Sequence, residues 1–263
     1  MISSSSVVHP SAVVEDGCML GEGVKIGPFC HVGSQVELGD GVELLASVSL
    51  TGDTIIGART RIFPFAAIGG EPQALKYAGE AVQLRIGSDC IIREGVTMNP
   101  GTSGGGGVTT IGDKGTFLAN SHVAHDCQIG NNVIFSNNVM LAGHCVVGDG
   151  VIFGGGSAAH QFCRIGHHAF IGGLAGIEGD VIPFGMVIGN RASLAGLNLI
   201  GMKRGGVSRD SIHAVRNTYK ELFSGSEPVQ EAAVRLKGKA SDDLVIEILD
   251  FIAASADRAL CTP

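Results

Sequence analysis

Every sixth residue of this chain is apolar over most of its length. From Ile111 the series runs Phe117, Val123, Ile129, Phe135, Leu141, Val147, Phe153, Ala159, Ile165, Ile171 and Ile177. An earlier series runs without a miss from Val8 through Val14, Leu20, Ile26, Val32, Leu38, Leu44, Leu50, Ile56 and Ile62 to Ile68. A helix repeats every 3.6 residues and a strand every 2, so neither sustains a period of six. A hexapeptide repeat marks a parallel β-helix, a solenoid whose coils bury their apolar residues against one another.

In the β-helix class that this pattern resembles, three hexapeptides make a triangular coil of about 18 residues, and strands of successive coils lie about 4.8 Å apart. Residues 18 apart then sit above one another. The composition agrees with thin layers of small aliphatics: aromatics are 5%, Trp is absent, and charged residues are 16% against 44% hydrophobic. Such a chain is not disordered. Its 41 glycines read as turn residues, where positive φ is needed.

Six of the seven cysteines (Cys18, Cys30, Cys90, Cys127, Cys145, Cys163) fall four residues after a ladder residue. Val24, Val36, Ala66, Val133 and Ala169 occupy the same register, so the column wants a small apolar side chain. Cys127, Cys145 and Cys163 are 18 apart and would stack, but no C-x-x-C pair accompanies them, so the column reads as packing, not metal. Reduced thiols point to a cytoplasmic protein. The net charge of −7 and the absence of a basic block argue against nucleic acid. Met1 to Pro10 lacks the basic residues of a signal peptide, and no apolar run is long enough to span a membrane.

The ladder breaks twice. Ala74 and the charged Glu80 fall on rungs, so residues 70–84 read as a loop thrown out of the solenoid. A second excursion covers 99–110, with four consecutive glycines from Gly104, and the frame slips by one before Ile111. Beyond Ile177 the ladder fades through Ile182, Ile188, Leu194 and Ile200. Residues 1–206 are therefore expected to form the solenoid. Residues 207–263 form a helical cap, with one helix from Ser208, one from Glu227-Pro228 and one capped at Ser241-Asp242-Asp243.

Six of the nine histidines lie between His122 and His168. The 18-residue coil places Gly143 over His125 and Gln161 over both, with His144 and His160 beside them on the same edge. None is a ladder residue, so all should point away from the core. Such a column could bind Zn²⁺ or supply a general base and hydrogen-bond donors. Asp126 could orient His125, but only at a corner, since neighbours along a strand face opposite ways. Gly143 leaves its N–H unshielded one rung from that base. Gly155 and Gly173 stack in turn and would leave a groove.

Ile-Gly-Pro-Phe-Cys (26–30), Leu-Lys-Tyr-Ala-Gly-Glu (75–80), His-Val-Ala-His-Asp-Cys (122–127), Leu-Ala-Gly-His (141–144), His-Gln-Phe (160–162) and Gly-Met-Lys-Arg-Gly (201–205) together resemble the UDP-N-acetylglucosamine O-acyltransferase family. The resemblance covers nearly the whole chain. It implies a left-handed parallel β-helix, an exception to the right-handed crossover rule. It also implies a homotrimer with active sites between neighbouring prisms, and no cofactor or metal. The implied reaction is the first step of lipid A synthesis, transfer of a 3-hydroxyacyl group from acyl carrier protein to the glucosamine 3-OH of UDP-N-acetylglucosamine. By match of motif, His125 is the base, Asp126 supports it, and the Gly143 N–H faces the oxyanion. Gln73, Lys76, His122, His144, His160 and Gln161 position the substrates. Asn198 and Arg204 match nucleotide-site residues, Gly173 the floor of the acyl pocket, and Arg216 the surface that meets the acidic carrier protein.

The chain departs from that family at Ala74, where an Asp is usual, at Ile200, where an acidic residue is common, and at Gly205, which replaces a second Arg. Weaker sugar or diphosphate binding is expected, or a shifted acceptor such as a 3-amino sugar nucleotide. Two other enzymes stay open from the residues: an N-acyltransferase of the same hexapeptide class, and a γ-class carbonic anhydrase with His-bound metal.

Overall fold

The computed structural model describes residues 5–225, 227–254 and 256–263. The signal-peptide reading thus falls in part on residues 1–4, outside the described ones. Strands mostly of two residues alternate with turns of four. They build three sheets of eleven, nine and eight strands among the described residues, and along the coiled part each strand pairs in parallel with the third before and the third after it. One circuit lays one strand on each sheet. Pairings such as Phe117 with Phe135 and His122 with Met140 are 18 residues apart. The expected vertical alignment is therefore present.

In each two-residue strand the second side chain points inward. Outside the first excursion the rungs from Leu20 to Ile182 are buried, and Phe117, Phe135 and Phe153 stack in turn at the core's centre, the first pair edge to face. Val8, on the edge strand of the eleven-stranded sheet, is 37% exposed. The small-residue column is buried as expected, and all seven cysteines are buried thiols. Cys127 Sγ donates to Ala142 O and Cys145 Sγ to His160 O, which gives these thiols a carbonyl partner in place of a metal.

The role expected for the glycines needs correction. Many corners hold non-glycine residues at positive φ, among them Asp126, His144 and Phe162. Some glycines do take positive φ, among them Gly41, Gly95 and Gly156, but those that follow a buried rung, Gly69 excepted, do not; they permit close approach of the next coil. A Cβ on Gly27 would lie 1.6 Å from Leu45 O, and one on Gly57 2.5 Å from the Gly87 carbonyl carbon.

The excursions are shorter than expected. Gln83–Ile86 and Val108–Ile111 are already strands, pairing in register, so the loops cover 69–82 and 99–107. The last expected rungs also fail. Gly185–Ile188 and Ser193–Leu197 form an antiparallel pair, Ile188 is 52% exposed, and Ile200 stands in the first turn of α1 (Leu199–Arg204). Coil geometry thus ends well before 206.

Three further helices follow: α2 (Arg209–Ser224), α3 (Val229–Lys237) and α4 (Asp243–Ala253). Ser208 caps α2 by accepting from Ser211 N at 3.0 Å, and Asp242 caps α4 by accepting from Leu244 N at 3.0 Å. Ile212, Val215 and Leu222 of α2 and Ile248 and Ile252 of α4 are buried, spaced so that each helix turns one apolar face inward. The chain end then returns to the last coil: Asp180 N donates to Ala259 O at 2.7 Å, and Cys261 N to Asp180 O at 2.8 Å. No helix among the described residues is long and apolar enough to cross a membrane.

Candidate active site

The strand His122–Val123 ends at a corner, and the corner decides what His125 and Asp126 can do together. Asp126 adopts φ 60°, a left-handed conformation. This breaks strand alternation, so neighbouring side chains share one face. His125 Nδ1 lies 2.8 Å from Asp126 Oδ2. An ionised carboxylate only accepts, so Nδ1 carries the proton and Nε2 is left as the acceptor.

The second excursion holds Asp126. Thr102 donates its N–H to Oδ1 at 2.7 Å and its hydroxyl to Oδ2 at 2.6 Å, while Thr109 Oγ1 accepts from Asp126 N at 2.8 Å. The glycine run permits this approach: a Cβ at Gly105 would lie 2.1 Å from Asp126 Cγ. Because the loop closes over the corner, His125 is 7% exposed and Asp126 5%, far more buried than a surface column of histidines.

Gly143 lies against the His125 ring, where a Cβ would be 2.6 Å from Cε1. Its N–H donates to no protein acceptor among the described residues. His144, one position on, stacks on Phe162 at 4.5 Å and sets its ring edge-on to His125 at 5.0 Å. Burial lowers the His144 pKa, and the charge of Asp126 partly opposes this. His122 pairs with Thr97 Oγ1 at 2.7 Å, and burial lowers its pKa too.

Two cavities meet at His125. One, of about 680 Å³, spreads over the sheet face that carries His122, Met140, Ala158 and Gly176, and it also takes in Gly143, His160 and Gln161. Those four sheet residues are successive partners across the ladder, so the outward side chains shrink from imidazole to hydrogen coil by coil. The other cavity, of about 580 Å³, lies under the first excursion and is lined by Ala74, Lys76, Tyr77, His144 and Phe162. Gln73 lines both. Glu80 ties the two excursions together by accepting from Ala78 N and Ser103 N, and these bonds hold its carboxyl at about 2.

Four expected site residues lie elsewhere. Asn198 caps α1 by accepting from Gly201 N at 2.9 Å and donates to His168 O at 3.0 Å, at a different corner from His125. Arg204 is exposed at the end of the same helix, and Arg216 is exposed on α2. Gly173 stacks with Gly155 at the far edge of the His122 sheet, outside both His125 cavities. Sequence reasoning missed Thr102, whose glycine-rich surroundings marked only an excursion, and Arg258, which donates to His160 Nδ1 and Gln161 O from the chain end.

His125, Asp126 and His144 present ligand-type atoms within 4.8 Å of one another. Both imidazole nitrogens approach the same Asp126 oxygen, at 2.8 and 3.7 Å, and Thr102 donates to it as well. That is a hydrogen-bonded cluster centred on one carboxylate, whereas a tetrahedral zinc site needs donors converging on a vacant point.

Residues 180–261 match the family model described as UDP N-acetylglucosamine O-acyltransferase, domain 2, and residues 17–52 the bacterial transferase hexapeptide model. A Sinorhizobium fredii protein named acyl-(acyl-carrier-protein)–UDP-N-acetylglucosamine O-acyltransferase is 55% identical over 264 aligned positions, covering 100% of this chain and 98% of the relative. The chain belongs to the UDP-N-acetylglucosamine O-acyltransferase family. A second UDP-N-acetylglucosamine O-acyltransferase, from Rhizobium etli, is 57% identical over 220 residues, 83% of this chain and 81% of that one. A crystal structure of a UDP-N-acetylglucosamine acyltransferase superposes with a TM-score of 0.90 at 41% identity, covering 100% of this chain and 98% of the other.

Proposed function

We propose that this chain transfers a 3-hydroxyacyl group from acyl carrier protein to the glucosamine 3-OH of UDP-N-acetylglucosamine, the first step of lipid A biosynthesis. The observation that carries the mechanism is the buried relay Thr102–Asp126–His125, which leaves Nε2 of His125 as acceptor. Nε2 takes the proton of the 3-OH as that oxygen bonds to the thioester carbonyl carbon. The Gly143 N–H donates to the oxyanion that forms. Collapse breaks the C–S bond, and the imidazolium returns its proton to the departing thiolate. The Asp126 carboxylate stabilises the imidazolium between the two steps.

His122, His144, His160, Gln161, Gln73 and Lys76 surround the substrates in the two cavities. The narrowing side chains from His122 to Gly176 leave room for an acyl chain that runs toward Gly173. Asn198 and Arg204, set on another corner, serve the His125 site of a neighbouring copy in a homotrimer. Arg216 meets the carrier protein. The reading carries with it a left-handed hand for the β-helix, a helical unit that closes its end, and a cytoplasmic location.

One observation favours a second acceptor: Ala74 lines the cavity beside Lys76 with a methyl group that cannot hydrogen-bond a sugar hydroxyl. Offering 3-hydroxyacyl carrier protein with 3-OH and 3-amino sugar nucleotides separates the two. Ester formation on the 3-OH acceptor is expected; amide formation alone would replace this reading with N-acyl transfer.

A further inference from the structure

The chain end comes back to the active-site edge and is clamped there. Ala259 O accepts from Asp180 N at 2.7 Å, Cys261 N donates to Asp180 O at 2.8 Å, and Leu194 N donates to Thr262 O at 2.9 Å. The approach is close enough that a Cβ at Gly179 would sit 2.4 Å from Ala259 O. Asp180 is fully buried and accepts both the backbone N–H and the Nε of Arg164 at 2.7 Å, and Arg164 in turn donates to Phe251 O at 3.2 Å. The last coil, α4 and the chain end therefore form one fixed unit.

Arg258 projects from that unit. One guanidinium nitrogen lies 2.5 Å from His160 Nδ1, and Nε donates to Gln161 O at 2.9 Å. A guanidinium has no acceptor, so His160 Nδ1 must be one. The single proton of neutral His160 then resides on Nε2. His160 and Gln161 both line the cavity that opens at His125 and Gly143.

We propose that Arg258 is a positioning residue for acyl transfer: it locks His160 as an Nε2–H donor and pins the Gln161 backbone one coil above Gly143. Without Arg258, His160 is free to exchange tautomers, and an exposed Nδ1–H would turn to the Gln161 carbonyl, 3.5 Å away. The locked donor faces an electron-rich oxygen of the acceptor nucleotide or of the thioester. The inference rests on the acyl-transfer reading above, with His160 in the site.

The test pairs kinetics with the ¹⁵N spectrum of the imidazoles. Arg258→Ala leaves the backbone clamps at 259 and 261 in place, and an unchanged unfolding midpoint will verify this. The expected loss in kcat/KM for UDP-N-acetylglucosamine is about tenfold, the scale of a modest misplacement of binding groups. The His160 signal, assigned with His160→Ala, should change from one Nε2–H tautomer to a mixture, and Arg258→Lys should recover part of both. In a His160→Ala background, Arg258→Ala should cost less than in the parent, because only the Gln161 contact is left to lose. A single tautomer persisting in Arg258→Ala, an unchanged kcat/KM, or an equal loss in both backgrounds would each overturn the inference. If His160→Ala alone is fully active, the assignment of His160 to the site fails instead.

Discussion

Gly143→Ala adds one methyl group at the point where scaffold and chemistry touch. The new Cβ would lie 2.6 Å from Cε1, 2.9 Å from Nε2 and 3.0 Å from Nδ1 of His125. Carbon contacts settle at about 3.5–4.0 Å, so the ring must withdraw by about 1 Å. It cannot do so and keep the 2.8 Å bond to Asp126, because Asp126 is itself pinned by Thr102 through both oxygens and by Thr109 at its backbone. The Gly143 N–H is untouched, so the oxyanion donor survives while the base is displaced. A shift of about 1 Å costs roughly 100-fold in rate, or about 2.7 kcal/mol of barrier. Overpacking costs about 1–3 kcal/mol of stability besides. Steady-state kinetics with saturating 3-hydroxyacylated acyl carrier protein should show kcat down about 100-fold and the KM for the sugar nucleotide little changed. A variant that keeps more than about half of kcat would show that the ring position is irrelevant to the rate, and the reasoning fails.

Thr102→Val removes the hydroxyl donated to Asp126 and leaves the backbone N–H; kcat should fall about tenfold and chemical denaturation should show a loss of about 1–2 kcal/mol, with Thr102→Ser close to the parent in both. Burial lowers the pKa of His122 and His144 from 6.5, so below that value the unfolded chain takes up protons that the folded one resists. Stability should thus be level above pH about 6.5 and fall as the solution is acidified through the folded values; a urea midpoint that rises on acidification from pH 7 to 6 contradicts this. Burial raises the thiols of Cys18, Cys30, Cys90 and Cys261 and pushes Cys163 up to about 12, while a hydrogen bond with Cys127, and burial after it, raise Cys145. A thiol reagent at neutral pH should react with these six only as fast as the chain unfolds.

The coil was readable because its cause is local and repeated: one apolar residue in six, and one small residue four places later, each meeting its own kind 18 residues on. The same arithmetic aligned His125 with Gly143. It failed where a residue departs from the frame. Asp126 turns toward His125 through a positive φ that no periodicity reveals, and Ile188 and Ile200 keep the apolar spacing although the backbone has already reversed into a hairpin and a helix. Glycines after a rung looked like turn residues because composition cannot distinguish conformational freedom from close approach. Thr102 and Arg258 reach the site through tertiary contacts across 24 and 98 residues, and no local pattern encodes such pairs.

The central claim is that His125 takes the proton of the acceptor hydroxyl. The direct measurement is the rate of 3-hydroxyacyl transfer to UDP-N-acetylglucosamine by His125→Ala, with its unfolding midpoint and assembly mass measured alongside. General-base catalysis contributes about 100- to 10,000-fold, so the rate should fall at least about 100-fold in a variant that folds and assembles like the parent. A folded variant that keeps about a tenth or more of the parent rate contradicts the claim and removes His125 as the base.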